Sequence, residues 1–191
     1  MKKNLIIAIL MTVVTTILLG ILYPLLVTVL AQVLFPGKAN GQLISKDGKL
    51  VASRIIGQPF TSPAYFHSRA SAAGTNGYDA TSSGGTNLGP TNSKLIQAVE
   101  DRAKTEQVDG KPVPVELVTT SASGLDPELS PGAALYQVPR VARARGVSED
   151  QLQALVNQFT EGRQLGFLGE PRVNVLELNM ELDRRYPVAS H

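Results

Sequence analysis

The sequence contains no cysteine and only two histidines, and these two scarcities exclude several kinds of site. Without cysteine the chain has no disulfide, no thiolate nucleophile and no cysteine-ligated zinc. A histidine-based metal site or a serine–histidine–aspartate triad would have to use His67 or His191. Because His191 ends the chain, where order is usually low, it is a poor candidate.

Established catalytic and phosphate-binding motifs are also missing. There is no Gly-x-Ser-x-Gly elbow, no Gly-x-x-x-x-Gly-Lys-Ser/Thr loop, no His-Glu-x-x-His and no EF-hand spacing. We therefore expect a protein that is not a catalyst by itself, with no catalytic residue and no resident metal.

Charge is absent from a long stretch that follows Lys2 and Lys3, and it is balanced in the rest of the chain. Residues 4–37 carry no charged side chain. Of the 18 Lys and Arg residues, Lys2 and Lys3 precede this stretch, and the remaining 16 equal the 16 Asp and Glu residues. A neutral domain lacks the basic footprint of a nucleic-acid-binding protein, so we expect no nucleic-acid partner.

Residues 5–35 have the length and composition of a membrane span. About 20 apolar residues cross a bilayer core, and in hydrocarbon the backbone must be helical to satisfy its own polar groups. Pro24 leaves the Gly20 carbonyl without a donor, which predicts a kink. A cleaved signal peptide is the rival interpretation, since Val29-Leu30-Ala31 resembles a cleavage site. However, a secretory apolar core usually has only about 7–15 residues.

The two lysines before the span predict its orientation. Positive charge is retained in the cytoplasm, so residues 1–4 are expected there. The same rule predicts that residues 36–191 lie on the outer side of the membrane. We expect a single-pass protein of a bacterial inner membrane, for which that side is the periplasm. The signal-peptide interpretation also places this domain outside the cytoplasm.

One face of the span is made of small residues. Thr12, Thr16 and Gly20 recur at four-residue spacing, with Tyr23 beside them on an ideal helix. Small side chains let a second helix approach closely, which predicts packing on partner helices. The frequency of threonine and glycine in membrane helices is the alternative explanation.

The rest of the chain predicts a mixed α/β (α+β) domain without a regular βαβ rhythm. A Gly- and Ser-rich loop is expected at residues 62–90, and a loop of this length is functional, disordered or held by a partner. The expected strands are a hairpin within 42–56 around Lys46-Asp47-Gly48, a strand at 113–118 and a strand at 173–178. The expected helices are one from 91 or 92 to 104 and one from Ser148 to about 162, with Gln151 in its capping box. Short helices are also expected after Asp126-Pro127 and Ser130-Pro131, with a break near Pro139 and an end at Gly146.

The Gly- and Ser-rich loop holds candidate ligand-binding residues. The backbone N–H groups of Ser83, Gly84, Gly85 and Asn87 are able to form a nest around an anion such as phosphate. A flexible or turn-forming loop explains the same composition. Five arginines either supplement such a site or lie on the solvated surface: Arg69, Arg140, Arg143, Arg145 and Arg172.

Three further polar residues have two interpretations each. Asp126 and Glu128 carry oxygens that suit a cation path, although helix capping explains Asp126 as well. Gln137 either hydrogen-bonds a ligand or is buried and satisfies backbone groups.

Several segments, in this order and spacing, carry a resemblance that covers nearly the whole chain. They are Gly57-Gln58-Pro59-Phe60, Tyr65-Phe66-His67-Ser68-Arg69, the segment 83–92, the segment 112–127, Gln137-Val138-Pro139-Arg140-Val141-Ala142 and the segment 169–179. With the N-terminal span, they resemble the C-subunit family of bacterial Kdp-type high-affinity potassium-transporting ATPases.

The resemblance implies a place in a four-part complex that transports potassium. The implied partners are a channel-like potassium-translocating subunit, a P-type ATPase subunit that hydrolyses ATP, and a small single-helix subunit. It implies an accessory or assembly role, described for the family as a catalytic chaperone that raises the ATPase subunit's affinity for ATP. Gln137 and the Ser83–Asn87 loop are then candidates to touch nucleotide.

Orientation conflicts with direct nucleotide contact, because ATP is cytoplasmic and the domain is expected outside. Two alternatives avoid the conflict: the subunit acts on the ATPase through the membrane helices, or it caps the potassium entrance and affects ion access. A stand-alone exported ligand-binding protein is a weaker alternative.

Overall fold

A computed structural model describes residues 1–46 and 48–188 of the chain. The chain divides into two compact units, Met1–Ser53 and Arg54–His191, which are described separately below. Asp47 of the expected hairpin turn and the C-terminal His191 lie outside the described residues.

The first unit begins with one long apolar helix. It consists of α1 (Lys2–Thr15), a π-helical segment (Thr16–Leu22) and α2 (Tyr23–Leu34). Together these form a helix of 33 residues, in which an 18-residue window reaches a mean hydropathy of 2.8. None of the helix residues is buried. At 1.5 Å per residue the helix is about 50 Å long, which is more than enough to cross a bilayer core of about 30 Å. The single N-terminal apolar helix predicted from the sequence is confirmed.

A π-helical segment lies directly before Pro24, where the sequence predicts a kink. Proline has no N–H to donate, and its ring crowds the carbonyl four residues earlier, which is that of Gly20. The helix widens ahead of Pro24, and the N–H of Tyr23 donates to the Leu18 carbonyl, five residues back.

A short helix, α3 (Pro36–Ala39), leads from the long helix into a hairpin of β1 (Leu43–Lys46) and β2 (Lys49–Ser53). The strands are antiparallel, with a bulge between Ile44 and Ser45. The hairpin predicted here is confirmed in its two strands.

The second unit combines helices with a small antiparallel sheet. Its strands are β3 (Glu128–Leu129), β4 (Thr160–Glu161) and β5 (Arg172–Asn174), with β5 in the centre. Its helices are α4 (Ser93–Thr105), α5 (Val115–Val118), α6 (Pro131–Arg145), α7 (Glu149–Gln158) and α8 (Val175–Arg185). The predicted mixed α/β class is confirmed.

Helix α6 lies at the centre of the core. Ala134, Val138 and Val141 on this helix are fully buried. They belong to one apolar cluster with Leu152, Leu155 and Val156 of α7, Leu178 and Leu182 of α8, Val173 of β5, and Phe66 from the irregular segment. Burial of this continuous cluster provides the main driving force for folding of the unit.

Polar side chains set the helix boundaries. The side chains of Asn92, Ser130, Ser148 and Asn174 accept hydrogen bonds from the first-turn N–H groups of α4, α6, α7 and α8. Ser148 and Gln151 form the predicted capping box. Gly146, with φ of 66°, ends α6 as expected.

Two predicted strands are wrong. Residues 115–118 form the single helical turn α5, because Pro114 lacks an N–H for a sheet and instead occupies the N-cap. The strand expected at 173–178 stops at Asn174, whose side chain accepts from the Glu177 N–H and starts α8.

Three other boundaries also differ from prediction. Residues 128–129 after Asp126-Pro127 form β3 instead of a helix. α6 continues through Pro139, because burial of Val138 and Val141 outweighs the hydrogen bond lost there. α7 ends at Gln158, since Thr160 and Glu161, just beyond its C-cap Phe159, pair with β5.

We expect Gly124→Ala to destabilise the chain by about 3 kcal/mol or more. Gly124 has φ of +67°, and a Cβ there would lie 2.7 Å from both the Ala73 nitrogen and the Gly84 oxygen. Gly146→Ala is the matched control, since φ is +66° but nothing lies within 4 Å. It should cost only about 1–2 kcal/mol. Equal losses in urea unfolding of the detergent-solubilised chain would show that packing at Gly124 is not the reason.

Candidate functional site

The first candidate site is the exposed face of the long helix. The hydroxyls of Thr12 and Thr15 donate to carbonyls of their own helix, Ala8 and Met11, at 2.9 and 2.7 Å. A Cβ on Gly20 would lie 3.7 Å from the Thr16 methyl group, which is ordinary contact. Thr16 and Gly20 are therefore neighbours on one face, and nothing within the chain requires glycine at position 20.

The angular position of Tyr23 around the helix axis differs from the position that an ideal α-helix predicts. The π-helical segment adds about one residue to each turn, so the 100° spacing does not hold between Thr16 and Tyr23. Of the four residues proposed for helix packing, Thr16 and Gly20 are adjacent, as the 3.7 Å approach shows. Thr12 lies four residues before Thr16 in α1, and Tyr23 begins the next α-helical segment.

The Gly- and Ser-rich loop is bound to the domain itself. The Gly84 N–H and the Ser83 hydroxyl both donate to the Ser123 carbonyl, each at 2.9 Å. A Cβ on Gly85 would lie 3.1 Å from the Ala122 carbonyl oxygen. Asn87 has φ of 53°, a turn conformation. The N–H of Gly84 is thus already used within the chain.

Gln137 is fully buried and clamps the backbone of His67. Its Oε1 accepts from the His67 N–H at 2.7 Å, and its Nε2 donates to the His67 carbonyl at 3.2 Å. Arg140 donates to the same Oε1 at 2.6 Å. Of the two interpretations of Gln137, the structure shows the buried amide that satisfies backbone groups.

Asn179 on α8 repeats this arrangement one residue earlier. Its Oδ1 accepts from the Phe66 N–H and its Nδ2 donates to the Phe66 carbonyl, both at 2.9 Å. In an extended chain, successive residues direct their polar groups to opposite sides. The two amides, from α6 and α8, therefore take the place of neighbouring strands on either side of residues 66 and 67.

Two arginines of α6 complete this clamp, which we define as Gln137, Arg140, Arg145 and Asn179. Arg140 donates to the carbonyls of Pro63 and Tyr65 at 2.8 and 3.0 Å. Arg145, whose side chain is 0% exposed, donates to the Ala64 carbonyl at 2.6 Å. All five carbonyls of residues 63–67 thus accept a bond from a clamp side chain. Burial lowers the pKa of Arg140, although the nearby Glu106 raises it.

The second unit also has an ion-paired cleft beside β3. Asp126 pairs with Arg69 and Glu128 with Arg172, both at 2.9 Å, and Arg172 also pairs with Glu161. Arg69, Asp126, Glu128 and Arg172 line a cavity of about 330 Å³. The two candidate cation-path carboxylates are therefore each neutralised by an arginine, and Asp126 also accepts from the Glu128 N–H as a turn-forming side chain.

Burial makes Glu128 an unusual member of this cleft. Desolvation raises the pKa of Glu128, Arg172 opposes this shift, and the negative charges of Asp126 and Glu161 add to it. Within residues 1–46 and 48–188, no group of three or more acidic or histidine side chains is arranged to hold a metal ion.

The two parts of the candidate nucleotide site bond to different segments of the second unit. Ser83 and Gly84 bond to Ser123, whereas Gln137 bonds to His67 and Arg140. Each remaining candidate arginine also has a partner, Arg143 with Asp109 at 2.8 Å. Sequence reasoning missed Asn179 and the structural role of Arg145. The aromatic pair Tyr65-Phe66 inside a polar loop was the available signal, because such residues are seldom left in solvent.

Within the described residues, one apolar N-terminal helix long enough to cross a membrane precedes a mixed α/β unit. This arrangement is typical of a membrane-anchored protein. The family described as KdpC, the c chain of K⁺-transporting ATPases, matches residues 5–184. The chain therefore belongs to the KdpC family, and the resemblance stated from the sequence is confirmed.

Relatives named "Potassium-transporting ATPase KdpC subunit" match over almost their whole length. The protein of Koribacter versatilis is 66% identical over 190 residues, covering 98% of each chain. That of Acidobacterium capsulatum is 54% identical over 179 residues, covering 94% of this chain and 97% of the relative. That of Methylococcus capsulatus is 53% identical over 180 residues, covering 92% and 95%. The chain is thus a subunit of a potassium-transporting ATPase, with potassium as the ion that the complex transports.

We expect Gln137→Ala to lower the free energy of unfolding by about 3 kcal/mol without any nucleotide present. The substitution leaves the buried N–H and carbonyl of His67 without their partner. Urea unfolding of the full chain in detergent measures the loss. Gln153→Ala on the exposed face of α7 is the control and should change stability by less than about 0.5 kcal/mol. A stable Gln137→Ala variant that has lost only ligand affinity would contradict the clamp.

Proposed function

We propose that the chain is a non-catalytic accessory subunit that holds the transporter complex together. The long helix packs between membrane helices of the partners, through the face of Thr12, Thr16 and Gly20. The observation that carries this proposal is Gly20: glycine costs about 1 kcal/mol relative to alanine in a helix, and no atom of the chain demands it. A close approach by another helix is a sufficient reason to retain it.

The partners in this proposal are those of the four-part complex. They are a channel-like potassium-translocating subunit, a P-type ATPase subunit that hydrolyses ATP, and a small single-helix subunit. The small-residue face suits any of their membrane helices, because backbone proximity in lipid depends on side-chain size more than on charge.

The second unit acts, in this proposal, as a cap on the periplasmic side of the inner membrane, at the potassium entrance. Lys2 and Lys3 support this orientation. The internal bonding of Gln137 and Gly84 also favours a cap over a nucleotide site, because both would have to break existing hydrogen bonds to bind ATP.

The catalytic-chaperone role described for the family is compatible with this placement by one route. A subunit outside the membrane changes the ATP affinity of its partner if it binds one conformation of that partner more tightly than another. The helix is the element that could transmit such a bias. The alternative is that this subunit binds ATP directly. Titration of the isolated full chain with ATP tests this alternative, and saturable binding would favour it.

We expect Gly20→Leu and Thr16→Leu to reduce recovery of the partner subunits in a pull-down by at least roughly tenfold, or about 1.4 kcal/mol of association. Added bulk on this face separates the helix backbones. Val14→Leu, on the opposite side of α1, is the control and should assemble normally. Gly20→Ala is informative because it favours the helix itself, so reduced assembly would isolate the effect on the partner. Normal assembly of all these variants would refute helix packing through this face.

Impermeant maleimide labelling of intact spheroplasts tests the orientation. In this cysteine-free chain, Ser82→Cys and Gln153→Cys each place one thiol at an exposed position. Both should react from outside, whereas Asn4→Cys should react only after lysis. The reverse pattern would place the second unit in the cytoplasm and make direct contact with ATP physically feasible.

A further inference from the structure

An apolar turn projects from the sheet between β4 and β5. Leu165, Phe167 and Leu168 have relative exposures of 83%, 70% and 47%. We call residues 164–168 the apolar finger. Single exposed apolar residues are common on protein surfaces, but three in one turn form a contiguous patch of a kind that marks interaction sites.

The finger is held in a defined shape. Gln164 and Leu168 exchange both backbone hydrogen bonds at 2.9 Å, and the Phe167 N–H donates to the Gln164 carbonyl at 3.2 Å. Leu165 has φ of 52°, a conformation that non-glycine residues adopt at some cost. The chain thus maintains an exposed leucine in an unfavourable backbone conformation, which contributes nothing to its own core.

The surroundings of the finger are electrically neutral. Arg163 donates to both carboxylate oxygens of Glu170 at 2.9 and 2.7 Å, and residues 164–169 carry no charge. A neutral apolar projection complements an apolar groove. It offers no net charge for anionic lipid headgroups, which attract exposed lysine and arginine.

The area of the finger limits its partner. Its three side chains expose on the order of 300–400 Å² of apolar surface, whereas each member of a stable complex of two free proteins buries about 800 Å². The finger alone is therefore too small to join two free copies of the chain. It is sufficient for a partner already held nearby by the membrane helix, because tethering gives an effective concentration in the millimolar range.

We propose that the finger inserts into an apolar groove on the outer surface of a membrane-spanning subunit of the same complex. This inference rests on the proposed function and deepens it by naming the surface of the second unit that docks. The helix then provides attachment, and the finger fixes the second unit over its partner.

Photo-crosslinking in the intact complex tests the finger directly. With p-benzoyl-phenylalanine in place of Phe167, we expect a crosslink to a membrane-spanning partner subunit. The same group at position 153, exposed on α7, is the control and should give none. Crosslinks to lipid only, to a second copy of this chain, or equally from both positions would overturn the proposal.

A labelling experiment gives an independent measure. The thiol of Leu168→Cys should react with maleimide roughly tenfold more slowly in the complex than in the chain alone, while Gln153→Cys should react equally in both. Equal rates at position 168 would refute docking. When Leu165→Ser and Phe167→Ser are added to Leu168→Cys, the chain should still co-purify with the partners through the helix. The thiol at position 168 should then react as fast in the complex as in the chain alone. Failure of the wild-type chain to co-purify would instead contradict the proposed function itself.

Discussion

The second unit depends on the bonding of an irregular segment, residues 63–67, to side chains of α6 and α8. A buried backbone carbonyl without a partner costs about 1–3 kcal/mol. Here five consecutive carbonyls accept bonds from Gln137, Arg140, Arg145 and Asn179. These bonds allow Phe66 of this segment to be fully buried among the core residues. Side chains thus perform the function that neighbouring strands have in a sheet.

The buried polar groups of the clamp are hydrogen-bonded within the chain, whereas two apolar surfaces are exposed. The buried amides and arginines of the clamp use their hydrogen-bonding groups within the second unit. By contrast, the long helix has no buried residue, and the finger exposes Leu165 and Phe167. In hydrocarbon an exposed apolar helix is stable, but a finger in water gains free energy only when another protein covers it. A chain with a bonded interior and exposed apolar surfaces suits a subunit that folds by itself and buries those surfaces against partners.

Local chemistry explains which features the sequence predicted well. The apolar span, the hairpin strands and the caps at Asn92, Ser130 and Ser148 depend on neighbours within a few residues. The start of α8 was missed although Asn174 and Glu177 have capping spacing, because the run Val173-Asn174-Val175-Leu176 also fits a strand. The clamp was not predictable from local pattern, since Asn179 bonds Phe66 across 113 positions. Ser83 and Gln137 were named as candidates from the sequence. Their bonding partners, Ser123 and His67, lie 40 and 70 positions away, so local pattern could not identify them.

The clamp also has a consequence for the order of folding. Residues 63–67 leave the ribosome well before α6 and α8, which bond to them across 70 to 113 positions. Closing loops of this length has a large entropic cost before any contact compensates for it. We therefore expect the long helix and its hairpin to form early. Residues 63–67 become ordered only after the C-terminal half of the chain has been synthesised. During that interval Tyr65 and Phe66 are open to chaperones and proteases, so a nascent chain truncated before α8 would be a target for degradation.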